Sequence, residues 1–531
     1  MKIVGYHSRI ANSKVLLQDS SGEDPVLSTN LGNLFNFLLE PYDRDPNYQQ
    51  QWGTHPIVVR LTWNLDEFIA PILRLLGEHH CRELAETKET RWQGYRLFYI
   101  PRKVFSVKYG KYFAQFYSLD QYYQDTVEPP VDAFEVRYLG KKLEEVLGRM
   151  NLKPSRWTSP ASILRECVLE KMEIPTVWDN EHLVRRESVN YALRCCHRLW
   201  ISNFKVGFWP EGTINDFDLQ SAFPSEAMQL YDTRPENCKY IKSDKFIPDA
   251  DWGFLYGNIT INKDFSPIMH LDDNGELRNP IGQWRGHITL DEVTFIEKHK
   301  LGTFKLNNGW FLKFKSHQHI FDDALQKLYS YRGKHFLTDA LAKRMMNSLY
   351  GLTIEKRMDG QSGKFFNPFF AATITTRCRL KVAEFILANE LQDHLVSVTV
   401  DGCLTDKPVA ESELGSGMGK WKFAGSDATI VVSPGLIFRA DKKPHGINYQ
   451  VLKEMIEKHP NSSIYSVDLI KRVTMGEALR IDFSLIGKIQ KFGSTIDLYL
   501  ARTSQDRFFK KFPKTGKELL ERQYTSKPVE I

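Results

Sequence analysis

The sequence is short of the features that would settle its class at once. Its seven cysteines are scattered, and the one close pair, Cys195-Cys196, lacks the spacing of metal ligands. That pattern argues for a reducing compartment and against a zinc site or a disulfide scaffold. No run approaches ~18 apolar residues, and the first residues (MKIVGYHSRIANS) hold no long apolar stretch, so neither a membrane span nor a secretory leader is expected. There is no low-complexity segment and no internal repeat. Nor is there a strong excess of one charge: 71 Lys and Arg stand against 65 Asp and Glu, a net charge of +6. So mild a basic bias suits an anionic partner without selecting one. What remains is an ordinary globular composition, 42% hydrophobic and 26% charged over 531 residues, enough for about three or four domain-sized units with sizeable cores.

Three stretches stand out from that background. Ile214–Ser225 reads INDFDLQSAFPS. Ile214 to Leu219 can run as a strand with Asp216 and Asp218 on one face, and Pro224 stops regular pairing beyond it. Val396–Asp401 reads VSVTVD; Val396, Val398 and Val400 share one face, Ser397, Thr399 and Asp401 the other, and Gly402 allows a tight turn immediately after. Taken alone, a strand-end aspartate more often caps a turn than binds a ligand. Together, two carboxylates on the tips of neighbouring strands can hold a pair of divalent cations ~4 Å apart, the arrangement used for in-line displacement at phosphorus. The third stretch, Lys343–Gly351, has the form K-x-x-x-N-S-x-Y-G. It lies on a helix whose Leu337, Leu341, Met345 and Leu349 make an apolar stripe, leaving Lys343, Asn347 and Tyr350 on another face. Arg332 would share that face if the helix were continuous, whereas Gly333 marks a turn.

At these residues the chain resembles a family B DNA polymerase. Asp218-Leu-Gln-Ser221-Ala-Phe223-Pro224 is similar to the family's D-x-x-S-L-Y-P, with Phe for Tyr, and Lys343–Gly351 matches its finger-helix motif outright. Thr399-Val400-Asp401-Gly402 keeps the second, metal-binding Asp of D-T-D-S and replaces the first. Order and spacing resemble the compact protein-primed, or organellar and viral, branch. The resemblance implies an α+β fold, a right-hand polymerase of palm, fingers and thumb preceded by an RNase H-like exonuclease-type α/β domain. Its expected parts are a degenerate 3′–5′ exonuclease-like domain (1–145), a helical linker region (146–200), the first part of the palm with an insertion (201–319), fingers (320–352), the second part of the palm (353–466) and a thumb (467–531).

It also implies roles. Asp218 and Asp401 are the expected catalytic residues, bridging two Mg²⁺ ions (Mn²⁺ can substitute), with the carbonyl of Leu219 completing the metal site. Lys343 and Arg332 would clamp the triphosphate, Asn347 and Tyr350 border the nascent base pair, and Phe223 floor the sugar. The expected partners are a DNA primer-template and deoxynucleoside triphosphates, with a terminal or priming protein or other replication proteins as further candidates and no membrane. The expected location is the cytoplasm, at the nucleoid if the source is prokaryotic or a phage or other mobile element. Rival readings on the same residues are a primer-independent or template-independent nucleotidyltransferase and a non-catalytic nucleic-acid-binding scaffold.

Elsewhere the family pattern has drifted. Where an exonuclease would carry its carboxylates stand His7, Arg9, Phe68 and Tyr138, with Phe134 in place of a Tyr, although Asn64 survives. Asp66 or Glu67 would be the displaced acid if the alignment slips. The Y-x-G-G linker motif is replaced around Cys195-Cys196, and the hairpin that protein-primed relatives insert after the finger helix is missing. No Lys-x-Tyr follows Asp401; Arg439 is the candidate primer contact. Towards the end, Lys488, Lys491, Arg502, Arg507, Lys510 and Lys511 alternate with Phe508, Phe509 and Phe512, a pattern expected to track phosphates without sequence preference.

Overall fold

The computed structural model describes residues 2–11, 14–21, 24–39, 58–123, 127–176, 183–272, 275–356, 360–441, 447–501 and 507–531. The chain forms two compact units, each assembled from several segments. Residues 1–173, 328–348 and 470–492 make the first, and residues 174–327, 349–469 and 493–531 the second.

The first unit is built on an eight-stranded sheet of β1 (Lys2–Ala11), β2 (Lys14–Asp19), β3 (Val26–Ser28), β4 (Val58–Thr62), β5 (Glu89–Trp92), β6 (Tyr95–Ile100), β7 (Val104–Tyr109) and β8 (Tyr112–Ser118). Its order is β3-β2-β1-β4-β8-β7-β6-β5, with β4 parallel to both β1 and β8 and antiparallel pairing elsewhere. Helix α1 (Leu65–Leu76) starts where the Asn64 side chain accepts from the Glu67 N–H, and α2 (Ala133–Arg149) where Asp132 does the same for Glu135, each satisfying an amide the helix cannot. Helix α2 lies hard against the sheet: a Cβ on Gly5 would stand 2.1 Å from the Ala133 carbonyl, and one on Gly140 2.5 Å from Leu61. The Ser159-Pro160 start of the next helix closes a capping box with Ser162. The core joins Tyr6, Leu34, Phe35, Phe68, Ile69 and Phe116 to Val473, Met475, Ala478 and Ile486. A late segment of the chain therefore completes an early core. This unit also holds most of the finger helix α3 (Phe336–Thr353), whose Leu337, Leu341, Met345 and Leu349 are all buried as the stripe requires.

The second unit contains a five-stranded sheet of β9 (Ile201–Asn203), β10 (Asn215–Leu219), β11 (Leu395–Thr399), β12 (Gly402–Thr405) and β13 (Trp421–Gly425), in the order β13-β10-β12-β11-β9. Helix α4 (Pro368–Ala388) is buried along most of its length. Phe385 on α4 packs against Phe217 of β10 and stacks on Trp421 of β13, with ring centroids 5.6 and 4.0 Å apart. Alternation along β10 then turns Asp216 and Asp218 away from that core. A separate antiparallel sheet combines Cys238–Ser243, Trp252–Ile261, Gly282–Thr289 and Gly302–Phe314. Among the described residues, no helix is long and apolar enough to cross a membrane.

Candidate active site

Asp218 and Asp401 come together through backbone pairing. Residue Asp218 of β10 is in register with Gly402 of β12, and the Leu219 N–H donates to the Asp401 carbonyl at 2.8 Å. The route differs from the expected one. The strand ends at Thr399, and Val400-Asp401 forms the two-residue turn of the β11–β12 hairpin, with Thr399 paired to Gly402. The left-handed backbone that this turn needs falls on Val400, at φ 59°, a conformation costly for a β-branched residue. Gly402 serves instead for close approach, since a Cβ there would stand 2.7 Å from the Phe217 carbonyl. Strain and a missing side chain thus hold the Asp401 backbone against the end of β10, next to Asp218 in sequence register, as is common where function fixes geometry.

The surroundings of the carboxylates are charged. Asp216 forms an ion pair with Arg439, whose guanidinium also meets Asp427 and Asp441 and is only 6% exposed. Arg439 is therefore locked in a buried cluster, which corrects its reading as a primer contact. On the other side of β10, Lys422 of β13 stands in register with Asp218, its ammonium 2.9 Å from the carboxylate. Nothing in the motifs pointed to Lys422. The only sequence signal is the alternation Lys420-Trp421-Lys422-Phe423.

Phe223 opens the short helix Ala222–Ala227, which follows Ser221 in a left-handed conformation at φ 52°. Its ring lies 5.2 Å from that of Tyr350, tilted by 34°. Burial pushes the Tyr350 phenol well above its ordinary value, and the Cys196 thiol hydrogen-bonded to it adds to the effect. Phe223 and Tyr350 thus meet, within the same unit as Asp218, Leu219 and Asp401.

Lys343 and Asn347 belong to the first unit, exposed on α3, while Tyr350 continues the same face two turns on. The helix does not extend back to Arg332. It breaks at Gly333, φ 72°. Arg332 returns to the face through Asp339, whose carboxylate accepts from its Nε at 2.6 Å and from the Gly333 N–H at 2.9 Å. Burial opposes the charge on Asp339, but those bonds, with Lys343 nearby, hold its carboxyl below the ordinary range.

At the positions where the resemblance expects exonuclease residues, His7 and Arg9 lie on β1, Phe68 is buried, and Phe134 and Tyr138 are exposed on α2. Burial and Arg9 push the His7 imidazole below its ordinary value, partly offset by Asp132 and Glu67. Asn64 donates to Asp120, Asp66 accepts from the Tyr99 hydroxyl and the Arg102 N–H, and Glu67 pairs with Arg472. Among the described residues, no group of three or more His, Cys, Asp or Glu is placed to hold a metal ion. The basic C-terminal stretch also sorts itself. Arg507 is buried, its guanidinium 4.0 Å from the Phe204 ring and bonded to Ser526, so it braces the fold. Lys488, Lys491, Lys510 and Lys511 are exposed, and Arg502 lies outside the described residues.

Carboxylates at the end of an antiparallel sheet, backed by a long buried helix, are the arrangement of the palm in right-hand polymerases, and the chain has that fold. Residues 201–353 match the family described as DNA polymerase type B, organellar and viral. No curated protein matches the sequence significantly. Among solved structures, Phi29 DNA polymerase is similar over nearly the whole chain. Its complex with primer-template DNA has a TM-score of 0.60 at 12% identity, covering 93% of this chain and 100% of the other. The complex with primer-template DNA and incoming nucleotide substrates gives 0.59 at 12%, covering 94% and 100%, and the orthorhombic crystal form 0.60 at 12% with the same coverage. Over residues 201–353 the chain is similar to that polymerase family, and over nearly its whole length it shares the fold of Phi29 DNA polymerase.

Proposed function

We propose that the chain copies DNA templates from deoxynucleoside triphosphates at Asp218 and Asp401 and lacks 3′–5′ proofreading. The observation that carries the first part is the pairing of β10 with the β11–β12 hairpin, in which Leu219, the neighbour of Asp218, donates its N–H to the Asp401 carbonyl at 2.8 Å. Two carboxylates with the Leu219 carbonyl form an all-oxygen donor set. Such a set suits Mg²⁺, which typically takes one or two carboxylates and completes its shell with water and substrate phosphates. Asp218 already draws a cation, the Lys422 ammonium. When bound, a metal pair activates the primer 3′-hydroxyl and neutralises charge on the triphosphate.

The chain's own groups then divide the remaining work. Lys343 and Arg332 supply fixed positive charge for the triphosphate, which lowers the energy of the more highly charged transition state. Asn347 and Tyr350 border the nascent pair, and Phe223, held by the Tyr350 ring, limits room at the sugar. Loss of proofreading is supported by a domain that places His7, Arg9, Phe68 and Tyr138 where metal-binding carboxylates belong. It would hold single strands by charge and stacking instead. A priming protein and a cytoplasmic setting at the copied genome belong to the same proposal.

The test is extension of a labelled primer-template with nucleotides and Mg²⁺. Wild type should extend it, and Asp218→Asn and Asp401→Asn should each lose at least about a hundredfold in rate. Wild-type-like extension by Asp401→Asn would refute the assignment. With a mispaired primer and no nucleotides, the 3′ end should stay intact. Shortening that disappears in Asp66→Ala or Glu67→Ala would show a working exonuclease.

A further inference from the structure

The carboxylate face of the palm sheet carries one group that the polymerase motifs do not use. Lys422 sits on β13 directly across β10 from Asp218, and its Nζ lies 2.9 Å from the Asp218 Oδ2. Strand register fixes this pairing. Trp421, the preceding residue, stacks on Phe385 with rings only 16° from parallel, and Phe423 packs against Phe217 at 5.9 Å. Trp421 thereby packs on the α4 side, and Phe423, half exposed, lies along the same face. A slip of one residue would turn the lysine into that core and a ring to the carboxylates, so Lys422 is held on the Asp218 face.

Lys422 and Arg439, each paired with an aspartate of β10, differ in kind. Arg439 is buried and gripped by three aspartates. Lys422 is 47% exposed beside an Asp218 that is 35% exposed, and an ion pair that open is weak enough to exchange partners. A lysine is also a compact charge on a flexible stem, free to turn to another anion without disturbing the strand.

We infer that Lys422 is the resident counter-ion of Asp218, a positioning residue that a divalent cation must displace. Metal binding by the free protein is therefore held weak until a substrate phosphate accepts the lysine ammonium. The inference rests on the reading of Asp218 as a metal ligand. Its consequence is coupling: metal and nucleotide enter together, because the phosphate relieves the repulsion between ammonium and metal.

The test is direct Mn²⁺ binding to the full chain, free of nucleic acid, followed by the electron paramagnetic resonance of unbound Mn²⁺. Removing one positive charge beside the site should tighten binding about tenfold in K422M and K422Q, while K422R should resemble wild type and D218N should lose the site. Adding a deoxynucleoside triphosphate should strengthen Mn²⁺ binding more in wild type than in K422M. If K422M and K422Q bind Mn²⁺ as wild type does while D218N does not bind it, the role given to Lys422 is wrong and the metal site stands. If D218N binds Mn²⁺ like wild type, the reading of Asp218 itself falls.

Discussion

Arg379 on α4 and Glu292, three residues into the helix Leu290–Lys298, meet at 2.5 Å with neither side chain exposed. Burial alone would neutralise the acid, but Arg379, His197 and the Thr289 cap hold the Glu292 carboxyl below its ordinary range. Breaking such a pair strands a charge in the core. Glu292→Gln should therefore cost about 3 kcal/mol in denaturant unfolding, and the double change Glu292→Leu with Arg379→Met should recover part of it.

Gly402 occupies the place where the family motif has Ser, so restoring the family residue looks harmless from the sequence. The structure predicts harm. A Cβ 2.7 Å from the Phe217 carbonyl would force β12 away from β10 and move Asp401. Gly402→Ser should slow nucleotide incorporation at least about tenfold and destabilise by roughly 1–3 kcal/mol. Primer extension and thermal melting read both effects, and a fully active Gly402→Ser would show that the sheet gives way freely.

Val400 pays for its turn in backbone strain. Asn tolerates the left-handed region far better, so Val400→Asn should raise stability by about 1 kcal/mol. Its N–H bond to the Trp200 carbonyl at 2.9 Å is a backbone contact that the change retains. A lower melting temperature would mean that Val400 packing outweighs its strain.

Phe223 keeps the bulk of a tyrosine without its hydroxyl. Wild type should prefer deoxynucleotides, and Phe223→Ala should admit ribonucleotides much more readily, because the ring leaning on Tyr350 is gone. Competition between the two nucleotide types on one primer-template measures this. Equal use of both by wild type would favour a primase-like enzyme.

His197 is buried, and that burial, with Arg379 opposing Glu292, lowers its imidazole from 6.5 to about 4. The folded chain therefore holds it neutral while the unfolded chain protonates it near pH 6.5. The stability this confers is complete above pH 6.5 and is lost as pH falls towards 4, up to about 3 kcal/mol. Unfolding free energies across that window should slope less steeply in His197→Gln than in wild type.

Sequence reached the elements with strong local signals. The α3 stripe follows from helical period alone, and strand alternation placed β10 with Asp216 and Asp218 on one face. It did not reach what depends on partners distant in the chain. Arg439 and Arg507 look like surface cations until Asp216, Asp427 and Asp441, or Phe204 and Ser526, fold around them. Lys422 acquires meaning only when β13 pairs with β10. The turn at Val400 escaped because the hydrophobic pattern runs on through it, whereas Gly333 already signalled the break before α3.

The N-terminal core closes only when Val473, Met475, Ala478 and Ile486 join it. Synthesis delivers these residues only after residues 174–469 have been made. At ~5–20 residues per second, the first 173 residues wait for tens of seconds with an apolar surface open. Birth order and folding order are thus crossed in this chain. A nascent chain stalled anywhere before residue 473 is a natural client for chaperones, and the first unit becomes whole only once residues 470–492 have emerged.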